Sequence, residues 1–196
     1  LIFLYYNKKE RGNKMEFSLT DEEKKILLES ARETITAKLD ERKAVYSSTT
    51  KTLETQCGAF VTLHKYGQLR GCIGNLVGVK PLYTTIRDMA IASAFEDPRF
   101  MSLSKKELEE IDIEISVLSP LIKIKSIDDI KIGEHGILIK RGFRSGTFLP
   151  QVAAEQKWSV NELITNVCLK AGMDTDSWKA PDTELFVYTA IVFGEK

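Results

Sequence analysis

The stretch spanning residues 58–74 restricts the possible folds more than any other part of the sequence. Two runs rich in β-branched, aromatic and aliphatic residues, 58–64 and 68–74, flank Lys65-Tyr66-Gly67. Runs of that composition joined by a short glycine-containing connection specify a β-hairpin. Three connecting residues with glycine last suit a type I turn closed by a left-handed residue. The register that follows sets His64 opposite Gln68, Thr62 opposite Arg70 and Phe60 opposite Cys72. One face then carries Val61, Leu63, Leu69 and Ile73, and the other carries Phe60, Thr62, His64, Arg70 and Cys72. A two-residue connection would set arginine among valine and leucine, so segregation of the faces favours the longer loop.

Helical patterns flank the hairpin. Thr20 and Glu23 have capping-box spacing, and Ile26, Leu27, Ala31, Thr34, Ile35 and Leu39 form an apolar stripe, which predicts a helix over 21–39. The polar segment 40–56 reads as a loop. Pro81 suits the first position of a second helix reaching Phe95. A short capped helix is expected over 104–110, and residues 111–118 alternate apolar and polar without a break, as a half-buried strand does. Residues 136–140 form a further strand, with 142–146 as its turn and 147–149 resuming it. Pro150-Gln151-Val152 interrupts that strand. A helix follows from Ser159 to Ala171, stopped by Gly172, and then one final strand over 185–193. Strands arrive in hairpins with helices between them, and the βαβ rhythm is weak. The fold class is therefore α+β with a largely antiparallel sheet and packed helices.

The chain has 196 residues, 28 basic and 28 acidic, and so no net charge. A duplex-DNA-binding protein usually carries a basic excess, so none is expected here. Three cysteines without CxxC spacing and two histidines argue against a zinc site. An odd number of thiols suggests the reducing cytoplasm. The apolar runs are too short to span a membrane. The apolar start, residues 1–6, precedes its basic residues instead of following them, which is not the order of a signal peptide. Met15 is a candidate translation start, which would make 1–14 a leader. An additional strand or arm is the alternative. Neither a P-loop nor a dinucleotide fingerprint is present.

Leu69-Arg70-Gly71-Cys72-Ile73-Gly74 resembles the signature of the AMMECR domain family. Phe95-Glu96-Asp97-Pro98-Arg99-Phe100, Gly133-Glu134-His135-Gly136, Leu149-Pro150-Gln151-Val152, and Cys168-Leu169-Lys170-Ala171-Gly172 with Trp178 extend the likeness from about Met15 to the C-terminus. The resemblance implies one α+β domain over 15–196 with a larger and a smaller subdomain. It implies no particular reaction and no cofactor. Members of the family often occur beside, or fused to, Memo-like and radical-SAM proteins. That association suggests a modification system acting on RNA, or an interaction module for such a partner.

Cys72 is the leading candidate for chemistry. A thiol becomes nucleophilic when nearby positive charge stabilises its thiolate. Arg70 lies two residues away, on the same strand face in the expected register, and is the candidate electrostatic partner or anion clamp. Wall of a binding site and buried core residue are the alternatives for Cys72. Gly71 and Gly74 would let a ligand approach, or would serve tight packing. His64 is too far along the hairpin to be a base for the thiol. His135, in a glycine-bracketed loop, is the better candidate base, or simply exposed. Asn75, Glu96, Asp97 and Arg99 are candidate ligand contacts, with an internal Asp–Arg pair as the alternative for the last two. The Gln151 amide would recognise a base edge or satisfy backbone groups that Pro150 leaves unpaired. Arg141 and Arg144 read as a solvated hairpin tip, with phosphate contacts as the alternative, and Trp158 and Trp178 as core or lobe-contact residues. The expected function is a site beside the hairpin for a small molecule, a nucleotide or a piece of RNA.

Overall fold

The computed structural model describes residues 17–195. The expected leader and Met15 lie outside them. Twelve principal elements follow in chain order: α1 (Asp21–Leu39), β1 (Ala59–Lys65), β2 (Gln68–Asn75), α2 (Leu82–Phe95), β3 (Ile111–Leu118), β4 (Ile122–Ile124), β5 (Gly136–Arg141), β6 (Arg144–Phe148), α3 (Pro150–Glu155), α4 (Val160–Lys170), β7 (Glu184–Tyr188) and β8 (Ala190–Gly194). The strands form two four-stranded sheets, ordered β2-β1-β3-β8 and β4-β7-β5-β6. Every pairing is antiparallel. The fold is thus α+β, as the pattern of hairpins and helices implies.

Each sheet has its own core. On the first, Ala59, Val61, Leu63, Ile113 and Ile115 meet Leu27, Ala31 and Ile35 of α1 and Leu82, Ile86 and Ala90 of α2. The capping box of α1 forms as its sequence requires: the Thr20 hydroxyl accepts from Glu23 N at 3.2 Å, and the Glu23 carboxylate accepts from Thr20 N at 2.9 Å. On the second sheet, Ile137, Ile139, Leu185 and Val187 meet Leu163, Ile164, Val167 and Cys168 of α4. A third cluster, built on Leu118, Leu138 and Tyr188, includes both Phe60 of the first sheet and Leu149 beyond the second. The Tyr188 hydroxyl stays satisfied there, donating to Phe148 O at 3.0 Å and lying 2.8 Å from Thr147 Oγ1.

The final strand differs from expectation. Residues 184–194 form two strands, not one: β7 belongs to the second sheet and β8 to the first. Thr189 between them is bonded to the other crossing of the chain, where Ser119 N donates to Thr189 O at 2.9 Å and Thr189 N donates to Ser119 Oγ at 2.9 Å. A continuous apolar run cannot reveal such a switch, because nothing in its composition separates the buried half, β7, from the partly exposed half, β8. Further along the second sheet, β6 begins at Arg144, inside the expected turn. Pro150 starts helix α3 instead of merely breaking a strand, which suits a residue whose missing N–H is not needed at a helix start. Pro81 sits one place earlier than expected, at the N-cap of α2. The segment expected to be helical at 104–110 shrinks to a single 3₁₀ turn, Lys105–Glu107, with its capping box intact.

The hairpin register also differs. Tyr66 and Gly67 have φ of 52° and 76°, the left-handed pair of a two-residue type I′ turn. Lys65 therefore faces Gln68, His64 faces Leu69, Thr62 faces Cys72 and Phe60 faces Gly74. The register shifts between Leu63, opposite Gly71, and His64, opposite Leu69, leaving Arg70 as the extra residue of a bulge. Without that bulge Cys72 would join Val61 on the helix side; the bulge returns Cys72 to the face of Thr62 and Ile73 to the face of Val61. Leu69, opposite His64 and 44% exposed, and Arg70 lie on the faces opposite to those expected.

Candidate functional site

The bulge decides where Arg70 goes. Its Nε and Nη2 donate to Glu107 at 3.1 and 3.2 Å, and Nη2 also donates to Met101 O at 2.9 Å. Lys65 reaches the same carboxylate at 3.3 Å. Arg70 therefore joins Lys65 on the helix side of the sheet and not Cys72 on the opposite side. The hydrogen bond from Arg70 is the main cause that lowers Glu107 from 4.5 to about 2. The guanidinium beside the thiol belongs to another residue, Arg99.

Asp97 organises that neighbourhood. It follows the end of α2, where Pro98 prevents further helix. Its side chain is 1% exposed. Its Oδ2 accepts from Cys72 N at 2.9 Å and from Arg99 Nη2 at 2.7 Å, and its Oδ1 accepts from Arg99 N at 3.1 Å and Nε at 2.9 Å. Arg99 Nη2 also donates to Cys72 O at 3.2 Å. These bonds from Arg99 hold the Asp97 carboxyl far below the ordinary carboxylate range, against the effect of burial. The internal Asp–Arg pair is thus formed, yet Arg99 remains 54% exposed and its Nη1 makes no bond to the described residues.

The Cys72 sulfur accepts from Thr62 Oγ1 at 3.2 Å. Burial pushes the thiol up; the Thr62 hydrogen bond and the Arg99 charge pull it down, while Asp97 and Glu114 add to the rise. The resting group at neutral pH is a thiol. A second cation approaches from the other sheet. Lys170, at the end of α4, sets its Nζ 4.3 Å from the centre of the Phe148 ring. Desolvation lowers its pKa even though the residue as a whole is exposed; the Cys72 sulfur opposes the shift and the Arg99 charge adds to it. Lys170 has no acidic partner among the described residues. Across the first sheet, Cys72, Thr62 and Glu114 face one another in a row on β2, β1 and β3. The Glu114 carboxylate is half-buried and without a hydrogen-bond or ion-pair partner.

The remaining candidates are dispersed. Gly71 faces α2, and a Cβ there would lie 2.2 Å from Ser93 O; one at Gly74 would strike the Phe60 ring at 2.3 Å. Both glycines serve close packing. Asn75 and Glu96 are exposed at the ends of β2 and α2. His135 precedes β5, where its Nδ1 accepts from Lys131 N at 3.3 Å. It is not among the groups acting on the Cys72 thiol. His64 is offset from Cys72 by two residues instead of four in the observed register, and no hydrogen bond joins them. Gln151 lies in the first turn of α3 with a buried Oε1 that has no partner. Among the described residues, no three His, Cys, Asp or Glu side chains gather as a metal site. Two hollows lie elsewhere, one of about 430 Å³ along α1 beside Arg32 and Glu195, and one of about 170 Å³ between Tyr46, Tyr83 and Arg87. Neither is lined by Cys72, Arg99 or Lys170.

Sequence reasoning overlooked Glu114 and Lys170. The alternation of 111–118 did place Glu114 on the side away from the core, and that signal could have found it. Nothing in the sequence pairs Lys170 with a thiol almost a hundred residues earlier.

Relatives share this architecture. A protein of Pyrococcus horikoshii, PH0010, has a solved structure that matches with a TM-score of 0.83 and 34% identity, covering 91% of this chain and 94% of that one. Protein MK0488 of Methanopyrus kandleri is 42% identical over 188 residues, 91% of each chain. Protein MJ0810 of Methanocaldococcus jannaschii is 37% identical over 185 residues, 90% of this chain and 92% of its own. With the AMMECR1 family model matching residues 28–193 as well, the chain belongs to the AMMECR1 family.

Proposed function

We propose that the surface around Cys72 binds a small anionic molecule, in particular a nucleotide or the end of an RNA, with Cys72 lining the site. One observation carries the reading. Arg99 donates to Cys72 O with its Nη1 left unused, and Lys170, at the end of α4 on the other sheet unit, has no acidic partner among the described residues. Two such cations offer an anion charge-assisted hydrogen bonds, and guanidinium is well shaped for phosphate. The protonated resting thiol supports a lining role over a nucleophile already activated. Modification chemistry at Cys72 then requires the bound ligand to alter its surroundings.

The test is calorimetric titration with AMP at low ionic strength. Arg99→Ala and Lys170→Ala are each expected to weaken binding about tenfold, equivalent to about 1.4 kcal/mol. Absence of binding, or binding indifferent to both substitutions, would sink the proposal. The exposed apolar side chains of Tyr66 and Leu69 at the hairpin tip favour a second reading, a docking module for a Memo-like or radical-SAM protein. Co-purification with such a partner that is lost in Tyr66→Ser/Leu69→Ser and kept in Lys170→Ala would select it.

A further inference from the structure

We propose that the nucleotide taken by this site carries an exocyclic amine on its base, as adenine and cytosine do, with its phosphate at Arg99 and Lys170 and its amine donating to Glu114. This inference rests on the nucleotide reading above and deepens it. Cys72, Thr62 and Glu114 occupy one row across three adjacent strands. Neighbouring strands lie about 4.8 Å apart, so the row separates the cationic end from Glu114 by roughly 10 Å. A nucleoside monophosphate has a comparable reach from its phosphate to the far edge of its base.

The two ends of the row differ in what they accept. Arg99 has an unused Nη1, and Lys170 has no acid partner; both are donors only. Glu114 has an unpartnered carboxylate, which when ionised is an acceptor only. A phosphate is attracted to the first end and repelled from the second, which orients the ligand. At the second end a carboxylate accepts from an amine and repels a keto oxygen, as acidic side chains do when they read the cytosine amine. An independent observation comes from the same strand. Ser116, two residues from Glu114 and on the same face, is 1% exposed and its Oγ has no partner. Buried hydroxyls are normally satisfied, so one unspent polar group lies beside Phe60 on the face that carries Glu114.

The experiment compares isosteric pairs on the unmodified protein by calorimetry at fixed ionic strength: AMP against IMP, and CMP against UMP. Each pair exchanges an exocyclic amine for a keto oxygen and moves a proton onto the neighbouring ring nitrogen, so only in AMP and CMP is the exocyclic group the donor to Glu114. AMP and CMP are expected to bind at least about tenfold tighter than their partners, because a carboxylate facing a keto oxygen loses a hydrogen bond and gains a repulsion. Adenosine, lacking the phosphate, should bind more weakly than AMP. In Glu114→Gln the preference within each pair should collapse while dependence on Arg99 persists. Equal affinities for AMP and IMP, with dependence on Arg99 retained, overturn the base selection and leave the anion site standing. No binding of any nucleotide overturns both. The unmodified protein decides the question even if Glu114→Gln folds poorly.

Discussion

The two faces of the first sheet are made by the same strands yet have opposite chemistry. Toward α1 and α2 the sheet presents Ala59, Val61, Leu63, Ile113 and Ile115, none more than 1% exposed. Toward the second sheet and α4 it presents Thr62, Cys72, Glu114 and Ser116. The first face is covered along its length by two helices, so an unpaired polar atom there would lose its water without compensation. The second face is only partly covered, by Phe60 and the cluster that joins the sheets. Polar groups can survive there, some satisfied by neighbours and some not. The contrast teaches that this sheet is a structural wall on one side and a chemical surface on the other. Substitutions should sort accordingly.

The largest effects belong to the covered face. Leu63→Ala removes a fully buried side chain and should cost about 2–5 kcal/mol in denaturant unfolding. Gly71→Ala drives a methyl against the Ser93 carbonyl and should cost about 1–3 kcal/mol. Equal losses from Glu114→Gln, whose carboxylate has no hydrogen-bond or ion-pair partner among the described residues, would break the comparison.

At the rim of the covered face, Arg70→Met should destabilise the protein by about 1–3 kcal/mol at neutral pH, the range for hydrogen bonds to a charged group. Glu107 has a folded value depressed from 4.5 to about 2. Its stabilising contribution is therefore complete above about 4.5 and is lost as pH falls toward 2. The gap between the unmodified protein and Arg70→Met should narrow over that window, as followed by urea unfolding at a series of pH values. A gap independent of pH would assign the loss to packing alone.

The smallest effect sharpens the chemical face. Alkylation of Cys72 by iodoacetamide, read by mass spectrometry, should accelerate as pH rises into the alkaline range, because burial raises the thiol. Arg99→Ala should slow it further at a given pH, since the Arg99 charge favours the thiolate. Arg70→Ala should leave the rate unchanged. A slowing by Arg70→Ala equal to that by Arg99→Ala would mean that the bulge does not separate the two arginines as described.

Much of this was legible beforehand, for identifiable reasons. Helix α1 announced itself through Thr20, Glu23 and its stripe, and β3 through strict alternation, because both signals are local and repeat with the period of the element. In the hairpin, the placement of Val61, Leu63 and Ile73 on one face and of Thr62, His64 and Cys72 on the other was legible too, whereas Leu69 and Arg70 were set on the wrong faces. The arginine was misassigned because one inserted residue reverses the side to which a strand residue points. A two-residue turn with a bulge and a three-residue turn without one satisfy the same hydrophobic pattern. Asp97 and Arg99 were recognised as a possible pair, but their grip on the Cys72 backbone depends on α2 returning across β2.

By itself, then, the chain determined its local elements, its α+β class and the separation of wall from surface, because burial acts on each position through its own side chain. Only the packed molecule decided which guanidinium attends the thiol, that α4 brings Lys170 to it, and that the last apolar run divides between two sheets. Those outcomes depend on register and on contacts between distant segments, and many pairings of the same elements would bury the same side chains equally well.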